Sequence, residues 1–187
     1  VFVEDTTLCL PEGAVLLRPG AASRAGETPA IADAVAGLAP VIARLEGDGT
    51  VDGGDIMTTE REIIIGLSER SSHSGAEALA RLVADWGHKL RIAETPPGVL
   101  HFKSDCAILD EETVLATRRL AETGVFGDYR VLITPDGEEA AANAIRVNDK
   151  VFLASGHPGA ADMLVAAGYD VLLLDVTPLS LGIETLG

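Results

Sequence analysis

The sequence is poor in basic residues, and this shortage excludes one class of partner. Its 187 residues carry 14 Lys and Arg against 29 Asp and Glu, which gives a net charge of −15. Because such a surface cannot neutralise a run of phosphates, we expect no nucleic-acid partner. A negative field concentrates small cations, although solubility alone would explain the same charge.

Cysteine and long apolar runs are also scarce. Cys9 and Cys106 are the two cysteines, and they form neither a C-x-x-C pair nor a cluster with His. This pattern argues against zinc and redox motifs and favours a reduced, cytoplasmic setting. No apolar stretch approaches the ~18 residues that a membrane span needs, so we expect no membrane partner. The opening residues carry no Met and no signal-peptide pattern, and we interpret them as the interior of a longer gene product.

Common cofactor motifs are missing as well. The sequence contains no P-loop, no Rossmann glycine fingerprint and no H-E-x-x-H. Residues 47–55 superficially resemble a calcium loop, but Met57 stands where the closing bidentate Glu is required. We therefore expect no cofactor and no metal.

The sequence does contain a loose internal repeat of strand, polar Gly-containing loop and helix. Apolar strands at residues 14–17, 62–66 and 151–154 each lead into such a loop and then into a helical segment. Helical spacing predicts one apolar stripe through Ile31, Val35, Leu38, Ile42 and Leu45, and another through Leu79, Leu82, Val83 and Trp86. Gly87 and Gly168 are predicted to end helices.

Further short strands are predicted between and after these units. They are expected at residues 89–93, 99–102, 106–109, 114–116, 130–133, 144–147 and 169–176. Because strands outnumber helices, a doubly wound sheet is a poor match. Small ββαβ modules arranged around an axis match better, and they direct their loops towards a common centre. No linker divides the chain, which indicates one α/β domain.

Polar residues at the predicted strand ends are the candidates for chemistry. They are the acids Glu4, Asp5, Asp52 and Asp55, the arginines Arg24 and Arg70, and His101. Each has an ordinary explanation by itself, as a solvated acid, a turn aspartate, a surface arginine or a core histidine. Together, carboxylates can accept the N–H groups of a guanidinium, arginines can hold an α-carboxylate, and a histidine can shuttle protons. This combination suits a free amino acid that carries a guanidine.

Six segments in order carry a more specific pattern. They match F-V-E-D at residues 2–5, R-P-G-A-x-S-R-x-G-E at 18–27, [ED]-[GA]-G-D at 52–55, G-L-S-x-R at 66–70, L-H-[LF]-K-[ST] at 100–104 and A-N-C-I-x-V-N at 142–148. Together they resemble the dimethylarginine dimethylaminohydrolase family of the guanidine-modifying (pentein) superfamily. The resemblance covers residues 1–176 as one partial domain. Residues 177–187 do not match it, and residues 170–187 resemble a segment of DnaK-type chaperones.

The resemblance implies a fold and an activity. The fold would be a five-bladed α/β propeller of ββαβ modules, incomplete at its N-terminus because the family begins about one module earlier. The activity would be hydrolysis of Nω-methylated arginines to citrulline and a methylamine. The expected partner is thus a small-molecule substrate, a methylated arginine, while a homodimer is left open as the assembly.

The resemblance also implies roles for residues. His101 would be the general acid/base, and Asp52 would hold the reacting guanidinium and the charge state of the histidine. The substrate-binding residues would be Glu4, Asp5, Arg24 and Arg70. The two acids would line the substrate site, and the two arginines would bind the amino-acid end.

The nucleophile is the point at which the sequence departs from the family. The family uses a cysteine thiolate in a Gly-rich turn that no segment of this sequence matches. Cys9 is predicted to be buried packing in a strand, and Cys106 is predicted to be structural as well. Two alternatives therefore stay open: an arginine deiminase-like hydrolase, and a non-catalytic module that binds guanidino compounds. A chaperone fragment is disfavoured because residues 170–187, which carry that resemblance, contain no nucleotide site.

Overall fold

A computed structural model describes residues 3–175. This part of the chain forms four three-stranded sheets. Their strands are β1 (Thr7–Leu10), β2 (Gly13–Leu16) and β3 (Ile42–Arg44); β4 (Ile56–Thr58), β5 (Ile63–Leu67) and β6 (Leu90–Glu94); β7 (Cys106–Ile108), β8 (Thr113–Ala116) and β9 (Arg130–Ile133); and β10 (Ile145–Val147), β11 (Lys150–Ala154) and β12 (Asp170–Leu174). The helices are α1 (Val3–Thr6), α2 (Glu27–Ala36), α3 (His73–Asp85), α4 (Arg118–Ala121) and α5 (Pro158–Ala166).

Each sheet is one ββαβ module. The first two strands pair antiparallel, and the third strand pairs parallel to the second after a crossover that contains a helix. A parallel pair requires such a crossover, which is why a helix precedes every third strand. The α/β propeller of ββαβ modules is confirmed, with four modules in the part of the chain that the structure describes.

The central strands of the first three modules, β2, β5 and β8, are apolar on both faces because each face packs against a different core. In β5, Ile63 and Ile65 pack with Leu79 of α3, whereas Ile64 faces a second core that contains Phe102. The buried stripe of α3 is therefore confirmed. Gly87 and Gly168, with φ of +87° and +96°, follow α3 and α5 as predicted. Within residues 3–175, no helix has the length and apolar character needed to span a membrane.

The helical stripe predicted through residue 45 is wrong. The helix α2 ends at Ala36, Leu38 is 87% exposed, and Ile42 begins the strand β3 beside β2. Pro40 explains the stop, since proline offers no N–H to continue the helical ladder. Leu45 is buried after the strand has ended, in the core of the second module.

Two strand expectations near the candidate residues are also wrong. Residues 99–102 form no strand, because the N–H of Phe102 donates to Oδ1 of Asp55 at 2.8 Å instead of to a neighbouring strand. Glu4 and Asp5 lie in the single turn of α1 and not after a strand. Both departures come from side-chain and turn contacts at the centre of the molecule.

Candidate functional site

The Gly53-Gly54 pair brings three segments of the chain together. A Cβ on Gly53 would lie 1.8 Å from the carbonyl oxygen of Glu4, and one on Gly54 would lie 2.9 Å from Cγ of His101. The α1 backbone and the imidazole of His101 therefore both lie against this pair, where only glycine leaves them room.

A guanidinium of the protein itself lies among the carboxylates. Nη1 of Arg24 is 2.7 Å from Oδ2 of Asp5 and 3.5 Å from Oδ2 of Asp52, and Nη2 is 2.7 Å from Oε2 of Glu27. The bond to Glu27 and then the bond to Asp5 raise the pKa of Arg24. The same Arg24 contact lowers the pKa of Glu27. Glu27 was not among the predicted site residues, although its spacing of three from Arg24 was a usable signal.

Asp52 is fully buried behind this cluster. Its Oδ1 accepts the N–H of Gly20 at 2.6 Å, and its Oδ2 makes no hydrogen bond in the described part of the chain. Burial is the largest cause that raises the pKa of Asp52, the Gly20 bond opposes it, and Asp5 adds to the rise. A further cation beside Oδ2 would therefore stabilise the ionised form.

His101 pairs with a carboxylate that the prediction did not assign to it. Nδ1 of His101 is buried and lies 3.6 Å from Oδ2 of Asp55. The interaction with Asp55 is the largest cause that raises the pKa of His101, against burial, with Asp5 and Asp52 contributing less. Asp52 was expected to hold the charge state of the histidine, but the direct contact belongs to Asp55. The symmetric Asp-Gly-Gly-Asp sequence offered no signal to separate the two.

Most of the predicted residues line one cavity of about 520 Å³. They are Glu4, Asp5, Arg24, Arg70 and His101. Asp52 lies behind this wall. Lys103, which pairs with Glu4, and Asn143 also line the cavity and had no predicted role. The volume is that of a small-molecule site.

A larger cavity of about 1030 Å³ lies at the hairpin turns. Two of its acids already have a cationic partner: Glu112 pairs with Arg61 at 3.0 Å, and Glu62 pairs with Arg91, which lies outside the cavity lining, at 2.8 Å. The cavity beside His101 differs because an imidazole nitrogen at its wall and a carboxylate oxygen behind that wall have no hydrogen bond among the described residues. We therefore place the chemistry at the smaller cavity.

Asp5, Asp52 and His101 are the one group among the described residues that could offer three ligand atoms to a metal ion. One donor atom from each lies within 4.8 Å of the others. Arg24 already pairs with Oδ2 of Asp5 and lies beside Oδ2 of Asp52, so a metal ion could not bind both carboxylates without displacing this guanidinium. We assign no metal to this group.

Neither cysteine lines the cavity beside His101. Cys106 is buried, its Sγ donates to the carbonyl of Phe102 at 3.4 Å, and burial raises the pKa of its thiol. Cys9 is exposed, so its predicted burial is wrong. Side chains alternate along β1, and because Leu8 packs into the core, Cys9 faces the other side.

We expect a thiol reagent to distinguish the two cysteines. Iodoacetamide should alkylate Cys9 at least about 100-fold faster than Cys106, because an accessible thiol reacts through its thiolate and a buried thiol does not. Mass spectrometry of the digested protein after timed labelling gives both rates. Labelling in denaturant, where both sites should react alike, is the control. Fast native labelling of Cys106 would contradict the described packing.

Comparisons with known proteins agree with this geometry. A protein-family model for arginine deiminase matches residues 28–151. A dimethylarginine dimethylaminohydrolase of Pseudomonas aeruginosa is 34% identical over 95% of this chain and 70% of that protein. The enzyme of the same name from Streptomyces coelicolor is 29% identical over 94% of this chain and 67% of that protein.

Solved structures give the same result. A mutant of the Pseudomonas aeruginosa enzyme in complex with citrulline superimposes with a TM-score of 0.89 at 35% identity, over 94% of this chain and 69% of that one. An amidinotransferase from Microseira wollei has a TM-score of 0.81 at 15% identity, over 92% of this chain and 63% of that one, and shows the shared fold alone.

The resemblance of residues 170–187 to a chaperone segment is not supported. Residues 170–174 form β12, which pairs parallel to β11 as the third strand of the fourth module. They therefore belong to the propeller. Residues 176–187, which include the tail predicted at 177–187, lie outside the described residues.

The family assignment rests on matches that agree with each other. The family model spans more than half of the chain, and the Pseudomonas aeruginosa relative matches nearly all of it. The four ββαβ modules agree with the fold of the solved structures. This chain belongs to the dimethylarginine dimethylaminohydrolase family of the guanidine-modifying superfamily.

Proposed function

We propose that the cavity beside His101 binds the guanidinium group of a free, Nω-methylated arginine. The observation that carries this proposal is Oδ2 of Asp52, which is buried, makes no hydrogen bond to any residue that the structure describes, and lies 3.5 Å from Nη1 of Arg24. A buried carboxylate oxygen of this kind is stabilised by an added N–H donor that carries positive charge. A substrate guanidinium is such a donor.

The charge balance of the site supports a cationic ligand. The carboxylates at the site are Glu4, Asp5, Glu27, Asp52 and Asp55. Among the described residues they are balanced by three permanent cations, Arg24, Arg70 and Lys103, and by a histidine. The excess of negative charge remains even when His101 is protonated, so a further guanidinium can be accommodated.

The two arginines take different parts in this proposal. Arg24 is engaged with Asp5 and Glu27, so it organises the acids that receive the guanidinium. Arg70 lines the same cavity and is the arginine assigned to the α-carboxylate of the substrate. Glu4 lines the site next to Asp5, where its pair with Lys103 closes one side of the cavity.

The proposed reaction is hydrolysis to citrulline and a methylamine. In the family's reaction a cysteine thiolate, which neither Cys9 nor Cys106 supplies at this cavity, attacks the guanidinium carbon, the amine leaves with a proton from His101, and water then releases citrulline from the covalent adduct. The raised pKa of His101 keeps a protonated imidazole available nearer to neutral pH than usual. Asp52 holds the guanidinium during the attack.

A second candidate is binding without turnover by this polypeptide. It is favoured by a specific observation: neither Cys9 nor Cys106 lines the cavity. Residues 3–175 therefore supply the binding groups and the proton donor but no thiol beside them. A citrulline assay with dimethylarginine separates the two candidates, because binding without citrulline formation supports the second.

Titration calorimetry with three ligands tests the proposed function. We expect dimethylarginine to bind at least about ten-fold more tightly than citrulline, because citrulline replaces the charged guanidinium by a neutral urea of similar size. Unmethylated arginine is the third ligand, and tighter binding of arginine than of dimethylarginine would point to deiminase-like specificity. Equal affinity for dimethylarginine and citrulline would contradict the proposal.

Acidification should weaken binding of dimethylarginine. The pKa of Asp52 and the pKa of His101 are both raised. As the pH falls through these values, Asp52 loses its negative charge and His101 gains a positive one, and both changes oppose a cationic ligand. We expect a loss of affinity of about ten-fold or more from above the raised pKa of His101 to below the raised pKa of Asp52, measured from about pH 8 down to the lowest pH at which the protein stays folded. Citrulline, which is neutral at its terminal group, is the control and should respond less.

A further inference from the structure

We infer that Asp55 is the positioning residue of His101: it holds the proton of the neutral imidazole on Nδ1 and leaves Nε2 as the nitrogen that exchanges protons with a substrate. The inference deepens the proposed function and rests on it, because a defined proton-exchanging nitrogen matters only for a bound substrate. It differs from the predicted role of Asp52, which receives the guanidinium.

Asp55 is held more firmly than any other acid at the site. Its side chain is fully buried. Oδ1 accepts the N–H of Phe102 at 2.8 Å, and Oδ2 accepts the hydroxyls of Ser68 and Ser71 at 2.7 and 2.6 Å. Three donors from two separate segments therefore fix the plane of this carboxylate.

The two serine hydroxyls are themselves oriented by backbone amides. Oγ of Ser68 accepts the N–H groups of Arg70 and Ser71 at 3.0 and 3.2 Å. Oγ of Ser71 accepts the N–H of Asp52 at 3.0 Å. Because these lone pairs are occupied, each hydroxyl hydrogen points to Asp55, and the carboxylate can act only as an acceptor towards its neighbours. A group that only accepts requires a donor on the facing nitrogen of His101.

The imidazole has little freedom to turn away from this carboxylate. Its Nδ1 is buried 3.6 Å from Oδ2 of Asp55, while the ring lines the cavity with 16% of the side chain exposed. Its Cγ and Cδ2 pack against Gly54, where a Cβ would come within 2.9 Å and 3.1 Å of them. The ring therefore presents Nδ1 to Asp55 and its opposite edge to the cavity.

Other charged groups face His101, but none takes the place of Asp55. Asp5 and Asp52 act on the ring at longer range from α1 and from the start of the Gly-Gly turn. The remaining charged side chains of the cavity are Glu4, Arg24, Arg70 and Lys103. In the described part of the chain, Asp55 is the one carboxylate in an ion pair with this imidazole.

The tautomer of His101 in the unsubstituted protein tests the inference directly. Proton–nitrogen correlation spectra of ¹⁵N-labelled imidazoles, recorded above the pKa of the ring, distinguish the two neutral forms. We expect His101 to carry its proton on Nδ1 with a preference of at least about ten-fold, and the variant His101→Gln assigns the signal. A proton on Nε2 would overturn the inference.

Two substitutions extend this test. Asp55→Asn should remove the preference for Nδ1–H and lower the pKa of His101, whereas Asp105→Asn should change neither. Asp105 is a suitable control because it is also buried and also accepts a hydroxyl, that of Thr117, while its ion pair is with Arg119 and not with His101. Unchanged His101 spectra in a folded Asp55→Asn protein would overturn the inference.

The variant Ser68→Ala tests the inference if Asp55→Asn does not fold. Removing one hydroxyl donor to the Asp55 carboxylate should raise the pKa of His101. An unchanged pKa of His101 would overturn the inference.

The outcome is separable from that of the proposed function. A proton on Nε2 overturns the role of Asp55 even if dimethylarginine binds. Failure of dimethylarginine to bind, with the proton on Nδ1, overturns the proposed ligand and leaves the role of Asp55 intact.

Discussion

Replacement of Asp52 by Asn should weaken binding of dimethylarginine by at least about 100-fold. The substitution keeps the size of the side chain and removes the buried charge that faces the guanidinium, and loss of one partner of such a pair costs about 2–5 kcal/mol. Titration calorimetry of the variant measures this loss. Asp48→Asn is the matched control, because it removes the same charge from an exposed position in the same loop.

The same variant should not lose stability. Burial raises the pKa of Asp52, so the folded state prefers the neutral side chain. The ionised carboxylate therefore costs stability that is absent below the unfolded-state pKa, grows as the pH rises above it, and is complete above the raised folded-state pKa. At neutral pH we expect Asp52→Asn to gain about 1 kcal/mol in free energy of unfolding, because the substitution removes a buried charge that the folded state disfavours. If Asp52→Asn binds dimethylarginine normally, or if Asp52→Asn and Asp48→Asn lose equal affinity for it, the role of Asp52 as the acceptor of the guanidinium is contradicted.

Gly53→Ala should have the largest effect on stability. The added Cβ would overlap the carbonyl oxygen of Glu4 at 1.8 Å, and a backbone atom cannot move aside as a flexible side chain can. Relief requires α1 to shift, and α1 carries Glu4 and Asp5 into the site. We expect a loss of about 3 kcal/mol or more in free energy of unfolding, together with loss of ligand binding.

Gly26→Ala is the matched control for this change. Gly26 has a φ of −80° and nothing within 4 Å of an added Cβ. Denaturant unfolding of both variants gives the comparison, and we expect Gly26→Ala to stay within about 0.5 kcal/mol of the unsubstituted protein. A Gly53→Ala protein as stable as Gly26→Ala would show that the turn does not hold α1 in place.

Local pattern predicted much of the fold but not its boundaries. The stripe of α3 and the glycine after it were readable because the repeat, the spacing and the stop signal agree at that helix. The helix α2 was extended too far because Ile42 and Leu45 keep helical spacing by coincidence while they pack in a strand and in another module's core. Such partners are distant in sequence, and spacing alone does not reveal them.

The site residues were predictable as a set but not in their individual contacts. Motif order and residue type predicted that Asp5, Arg24 and His101 belong to one site, and all three line the same cavity. Whether Asp52 or Asp55 pairs with the histidine depends on the Ser68 and Ser71 hydroxyls, which a different strand-to-helix loop supplies. The sequence placed these donors far from the Gly-Gly turn.

An NMR titration with dimethylarginine tests the central claim most directly, namely that the carboxylates beside His101 receive a guanidinium. The backbone amides of Gly20 and Gly54 donate to Asp52 and Asp5 at 2.6 and 2.9 Å, so their signals report on these two carboxylates. We predict saturable shifts of both amides and of the His101 ring. Saturable shifts confined to the hairpin turns around Glu60 and Glu112, or none at any residue, would contradict the account.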